Sequence, residues 1–184
     1  MPPCIILPGI GNSGPDHWQS HWQQRNPSLT RFQPSDWDHP DRDDWLAALD
    51  KAVATTPEPP FLIAHSLSCL LIARWLERPH APIRGAFLVR VPDPSSPAFP
   101  RTEAPTFLDI PNHSFQIPAL IVASTNDPYG STDYAQTRAR QWGTGLVTAG
   151  PLGHIGDSSG VGDWPQGRAL FTAFTAGTGT AVDL

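Results

Sequence analysis

The chain has 184 residues, 39% of them apolar and 16% charged, which suits a globular protein of one domain with a sizeable core. A formal charge of -5 without any basic run argues against electrostatic capture by nucleic acid or an acidic membrane surface. Lys51 is the only lysine and lies in a charged amphipathic stretch, which sets aside Schiff-base and P-loop chemistry. No segment approaches the roughly 18 apolar residues of a membrane span.

The N-terminal MPPCIILPG lacks a basic region followed by a long apolar segment and a cleavage site, so no secretory signal is expected. Cys4 and Cys69 both sit in apolar runs and read as small core residues rather than a disulfide framework. A cytoplasmic location is the expectation.

In chain order, short apolar runs predict strands at Cys4–Leu7, Thr30–Gln33, Phe61–Ala64, Gly85–Val89, Ala119–Ala123 and Leu146–Thr148. Helical patterns fall between and after them, at Trp18–Gln24, Asp43–Ala54, Leu67–Arg78, Thr132–Trp142 and Pro165–Ala176. Pro165 suits a first helical turn, where its missing N–H costs nothing. Runs such as CIIL and LIVA are apolar on both faces, as in a parallel sheet covered on both sides. The alternation predicts an α/β fold, a three-layer α/β/α sandwich of about six mostly parallel strands without a large cap domain, spanning 1–184 as one domain.

One stretch departs from this rhythm. Arg90 to Pro118, RVPDPSSPAFPRTEAPTFLDIPNHSFQIP, is too rich in proline for a helix and long for a plain connection. A rigid surface loop packed by its Phe residues and a loop that shapes a substrate pocket are equally good readings of it.

The stretch FLIAHSLSCLLIARWL places Ser66 between an apolar strand and a helical pattern, where a nucleophile elbow would sit. The glycine places of Gly-x-Ser-x-Gly hold Ala64 and Ser68. The requirement there is steric, so the next-smallest residues can meet it. The competing reading makes Ser66 a simple helix N-cap. A nucleophilic serine needs a base and an acid to orient it, and in this architecture the chain order is serine, acid, histidine, with the latter two on loops after later strands. Asp127 follows ALIVA within STNDPYGS, and His154 follows LVT on a Gly-rich loop. Asp93, in RVPDPSS, is a weaker alternative for the acid. Oxyanion donors are expected from the backbone N–H groups of Leu67, just after the serine, and Ile10, in the loop LPGIGNSGPDHW.

The same loop carries a rival signal. Gly9, Gly11 and Gly14 spell the G-x-G-x-x-G dinucleotide fingerprint, with Asp36 and Asp38 near the place of a ribose-binding acid. Pro15, right after the third glycine, sits badly with a helix packing there. His17 and His21, in HWQSH, lack the glutamate of a zinc-protease helix, and a polar helix face beside Trp18 and Trp22 is the better reading.

Together, ILPGIGNSGPDHWQSHW, AHSLS, TNDPYGS and GHIGDSSGVGDWPQG resemble the small serine hydrolases of the YdeN and retinoblastoma-binding serine hydrolase type, over nearly the whole chain. The resemblance implies a compact α/β-hydrolase fold with the early edge strands missing, and Ser66 as nucleophile, Asp127 as acid and His154 as base. The chain departs from the usual hydrolase pattern at Ser68, where glycine is commoner. The retinoblastoma-binding label does not carry over, because LSCLL at 67–71 lacks the glutamate of the Leu-x-Cys-x-Glu motif. The expectation is a serine hydrolase, carboxylesterase-like, that uses no cofactor and no metal and cleaves a small ester, thioester or amide. A weakly catalytic interaction protein on the same fold is the alternative from a different class.

Overall fold

The computed structural model describes residues 2–180. Six parallel strands form one sheet: β1 (Cys4–Leu7), β2 (Thr30–Arg31), β3 (Phe61–His65), β4 (Gly85–Val89), β5 (Ala119–Ala123) and β6 (Gly145–Thr148), in the spatial order β2-β1-β3-β4-β5-β6. The helices are α1 (Trp18–Arg25), α2 (Arg42–Ala54), α3 (Leu67–Trp75), α4 (Thr132–Trp142) and α5 (Pro165–Gly177).

The period-2 alternation of the strands sorts their side chains into two cores. Ile5, Leu7, Leu62, Ala64, Leu88 and Ile121 pack with Trp45, Leu71, Trp75 and Trp142 from α2, α3 and α4. Cys4, Ile6, Ile63, Phe87 and Val122 face Trp18, Trp22 and Phe171 from α1 and α5. This is the three-layer sandwich of the sequence reading, and both cysteines are buried free thiols within it.

Two elements are shorter than expected. β2 ends at Arg31 because it is an edge strand and Pro34 cannot donate to a ladder, although Phe32 still donates its N–H to Ile6 O at 3.2 Å. α3 stops at Trp75 rather than Arg78, since Pro79 disfavours helical backbone just before it and the last residues tighten into turns.

The 90–118 segment answers to both of its readings. Val91, Phe99, Ala104, Phe107 and Phe115 are buried in the larger core, and Pro105–Phe107 forms a short 3-10 turn. Pro92, Ala98, Phe99 and Pro100 also line a cavity at the C-terminal edge of the sheet. Among the described residues, no helix is long and apolar enough to cross a membrane.

Candidate active site

Ser66 occupies the turn between β3 and α3 with φ 55° and ψ -124°, a region that costs an L-residue on the order of 1–3 kcal/mol. Its side chain makes no capping bond to the helix, so the N-cap reading fails. Its backbone N–H instead donates to Val89 O of β4 at 2.9 Å, and its hydroxyl is turned out to His154.

His154 Nε2 lies 2.8 Å from Ser66 Oγ, and its Nδ1 lies 2.9 Å from Asp127 Oδ1. A carboxylate only accepts, so Nδ1 carries the proton and Nε2 is left to accept from the serine hydroxyl. Asp127 Oδ1 also accepts the Tyr129 N–H at 3.0 Å. Asp93 is not at the histidine. Its carboxylate accepts from the N–H and hydroxyl of Ser95 and so shapes its own turn. Burial first, and the charge of Arg90 second, lower His154 from 6.5 to about 3.

The loops that carry these groups are laced to one another. Ser124 Oγ accepts the Leu152 N–H at 2.9 Å, and Asn126 Oδ1 accepts the Gly153 N–H at 2.7 Å, tying the Asp127 loop to the His154 loop. His65, at the end of β3, donates from Nε2 to His154 O at 2.9 Å, and burial holds its imidazole well below the ordinary value and therefore neutral. From α1, Trp18 donates to Ile155 O at 2.9 Å and Trp22 to Asp163 O at 2.8 Å. HWQSH thus serves the site by holding the histidine loop with its tryptophan and by capping. His17 Nδ1 caps α1 by accepting the Gln19 N–H, which leaves the proton on its buried, unpartnered Nε2 at the cavity wall.

The shoulders of Ser66 correct a purely steric reading. Ala64 is fully buried, as smallness requires. Ser68 is also fully buried, but its hydroxyl donates to Pro8 O at 2.5 Å and tethers the loop after β1. That loop passes so close to the elbow that a Cβ on Gly9 would stand 2.9 Å from Ser66 Cβ. The N–H groups of Ile10 and Leu67 have no protein acceptor among the described residues, and both residues line the cavity.

These contacts also account for the glycine pattern. Gly9 is needed for approach to Ser66, and a Cβ on Gly14 would meet Asp157 Oδ2 at 2.9 Å, an acid where a pyrophosphate would have to lie. Asp36 spends its carboxylate on the N–H groups of Asp38 and His39.

The cavity over Ser66 measures about 380 Å³, with Ile10, Leu67, Phe99, Pro100 and Tyr129 among its walls. A larger hollow of about 860 Å³ lies beside β6 and α5 and touches none of Ser66, His154 or Asp127, so size does not identify the site. Six tryptophans (Trp18, Trp22, Trp45, Trp75, Trp142 and Trp164) are buried packing residues, and none lines the cavity over Ser66.

The model of the family described as "Serine hydrolase" matches residues 4–173. The chain belongs to the serine hydrolase family. A YdeN-like hydrolase from Pectobacterium atrosepticum is similar to this serine hydrolase at a TM-score of 0.86 and 30% identity, over 96% of this chain and 91% of the other. The ydeN gene product of B. subtilis has the same fold at a TM-score of 0.77 and 23% identity, over 96% of this chain and 100% of that one. An α/β-superfamily hydrolase from Xanthomonas campestris follows at 0.62 and 19%, over 92% and 98%. No curated protein is significantly similar in sequence. The family makes a small-molecule substrate the general expectation.

Two residues of the site escaped the sequence reading. Arg90 and His65 both stand at the C-terminal ends of strands, where open α/β sheets gather their sites. That position was the available signal for each.

Proposed function

We propose that this serine hydrolase cleaves small carboxylic esters, thioesters or amides in the cytoplasm through an acyl-enzyme on Ser66. The observation that carries the reading is the unbroken Asp127–His154–Ser66 hydrogen-bond chain ending on a serine held at positive φ. As Ser66 Oγ bonds to the substrate carbonyl carbon, its proton passes to His154 Nε2, and Asp127 stabilises the imidazolium. The carbonyl oxygen becomes an oxyanion and takes hydrogen bonds from the free N–H groups of Ile10 and Leu67. Collapse of the tetrahedral species breaks the bond to the leaving group, which leaves with the proton from Nε2. Water repeats the sequence with His154 as base, releasing the carboxylic acid and restoring the serine. Each step balances without any added group.

Covalent labelling by a fluorophosphonate tests this. Labelling at Ser66 that is lost in Ser66→Ala, together with turnover of p-nitrophenyl acetate, is the expected result. A folded wild-type protein that takes no label would instead favour a binding role on the same fold.

A further inference from the structure

Arg90 follows β4 directly, with φ 66°, and donates its backbone N–H to Val122 O of β5 at 2.9 Å. Its side chain is completely buried, and Nη2 stands 2.5 Å from Asp127 Oδ2, the carboxylate oxygen that His154 does not use. The contact is a close ion pair without hydrogen-bond alignment, and Nε and Nη1 have no hydrogen-bond partner although buried. A buried guanidinium left this short of partners is poorly explained by stability alone, since desolvation of such pairs offsets much of their attraction.

We propose that Arg90 is a positioning residue for the hydrolytic site: its guanidinium holds the Asp127 carboxylate ionised with Oδ1 turned to His154, and it sets how readily His154 takes the Ser66 proton. The inference rests on the Ser66–His154–Asp127 reading above. Arg90 is not among the residues lining the cavity over Ser66, so it acts through Asp127 rather than on substrate. Burial brings Arg90 down to about 9, which leaves it a cation at neutral pH.

The charge balance around His154 can be followed group by group. His65, from the end of β3, and His17, ahead of α1, are both lowered by burial and are neutral at working pH. Tyr129, from the loop after β5, places its ring 4.4 Å from the imidazole, and Asp157 on the histidine's own loop is exposed at the cavity wall. Asp127 and Arg90 are therefore the fixed buried charges nearest the base. The first favours the imidazolium and the second opposes it. Taking Arg90 away removes the opposition, so His154 becomes easier to protonate and the acid limb of the rate profile moves to higher pH.

The test is kcat/KM against pH for p-nitrophenyl acetate with Arg90→Gln and Arg90→Lys. Gln keeps a polar group near Asp127 without the charge, whereas Lys keeps the charge. The expected result is an acid limb raised by about one pH unit or more in Arg90→Gln. KM should stay unchanged and kcat fall, with the limb in Arg90→Lys near that of the wild type. A limb that stays in place in Arg90→Gln, or moves equally in both variants, overturns the proposal. Should Arg90→Gln fail to fold, Arg90→Met, uncharged and of similar length, is compared with the unaltered protein by imidazole ¹⁵N titration of His154. A higher midpoint in Arg90→Met is expected, and equal midpoints overturn the proposal. Fluorophosphonate labelling separates the two readings: an unlabelled wild type takes both down, and a labelled one with an unmoved limb takes down only this one.

Discussion

Replacing Ser68 by Ala keeps the shoulder small and deletes one hydroxyl. In the folded protein that hydroxyl is fully buried and bonded to Pro8 O at 2.5 Å, a contact across 60 residues of chain. Ala therefore removes a buried hydrogen bond and leaves the Pro8 carbonyl without this donor, a loss of about 1–3 kcal/mol. In a chain of this size each kcal/mol lowers the melting temperature by about 2–4 °C. Ser68→Gly should lose about 1 kcal/mol more through backbone entropy in the first turn of α3. Ser68→Leu adds overpacking of about 1–3 kcal/mol to the same lost bond. Activity should fall as well, because the tethered loop carries Ile10. Misplacing one of the two proposed oxyanion donors sets an upper bound of about 100- to 1000-fold on kcat. Urea unfolding followed by tryptophan fluorescence, with p-nitrophenyl acetate turnover measured alongside, reads both effects. An Ala variant with wild-type stability and wild-type kcat would show that only the size of Ser68 matters and refute this account.

Ser66→Ala and His154→Ala should each abolish most hydrolysis, and the double variant should be scarcely slower than either, since groups that share a step lose activity non-additively; multiplicative losses in a steady-state assay would separate them. Asp127→Asn should lower kcat by about 10⁴-fold through the wrong histidine tautomer, while Asp93→Asn, which only loosens its turn with Ser95, should stay within about tenfold, or roughly 1.4 kcal/mol in barrier. Stability should fall as pH drops from 6.5 towards 3, because burial lowers His17 and His154 to about 3 and His65 well below 6.5, so the unfolded chain binds more protons in that window. The slope is about 1.4 kcal/mol per pH unit for each imidazole, and His17→Asn, which keeps a capping side chain, should reduce it by about one third in urea titrations. Acetyl to butyryl p-nitrophenyl esters should be turned over best, since a cavity of about 380 Å³ leaves little wall for further methylenes worth about 0.8 kcal/mol each; a rising kcat/KM towards dodecanoyl would contradict this.

The layered fold could be read in the sequence because it depends on local pattern. CIIL, FLIAH, GAFLV and ALIVA are apolar on both faces, and helical periods separate them. Ser66, Asp127 and His154 could be singled out because each stands just beyond such a run. Partnership across the sheet edge was the illegible part. Arg90 stood only as the first residue of the proline-rich stretch, and its burial appears only once Asp127 is folded against it. Ser68 looked like a glycine substitute, because nothing near it in sequence reveals the Pro8 carbonyl. His65 filled a variable place in the elbow motif, yet it holds the backbone of His154, the proposed base.

These partnerships share a form that bears on how the site keeps its precision. Ser68 to Pro8, His65 to His154, and Ser124 and Asn126 to Leu152 and Gly153 are all side-chain to backbone bonds between segments far apart in sequence. Each joins segments that the strands alone would leave free to shift by about an ångström, a displacement that can cost on the order of 100-fold in rate. Apolar packing beneath the sheet edge is non-directional and cannot fix an imidazole to within the tolerance of a hydrogen bond. Directional bonds from neutral side chains can, and they leave the local charge to Asp127 and Arg90. Substitutions at the tethers should therefore lower turnover further than their loss of stability would suggest, whereas core substitutions such as Leu71→Ala should do the reverse.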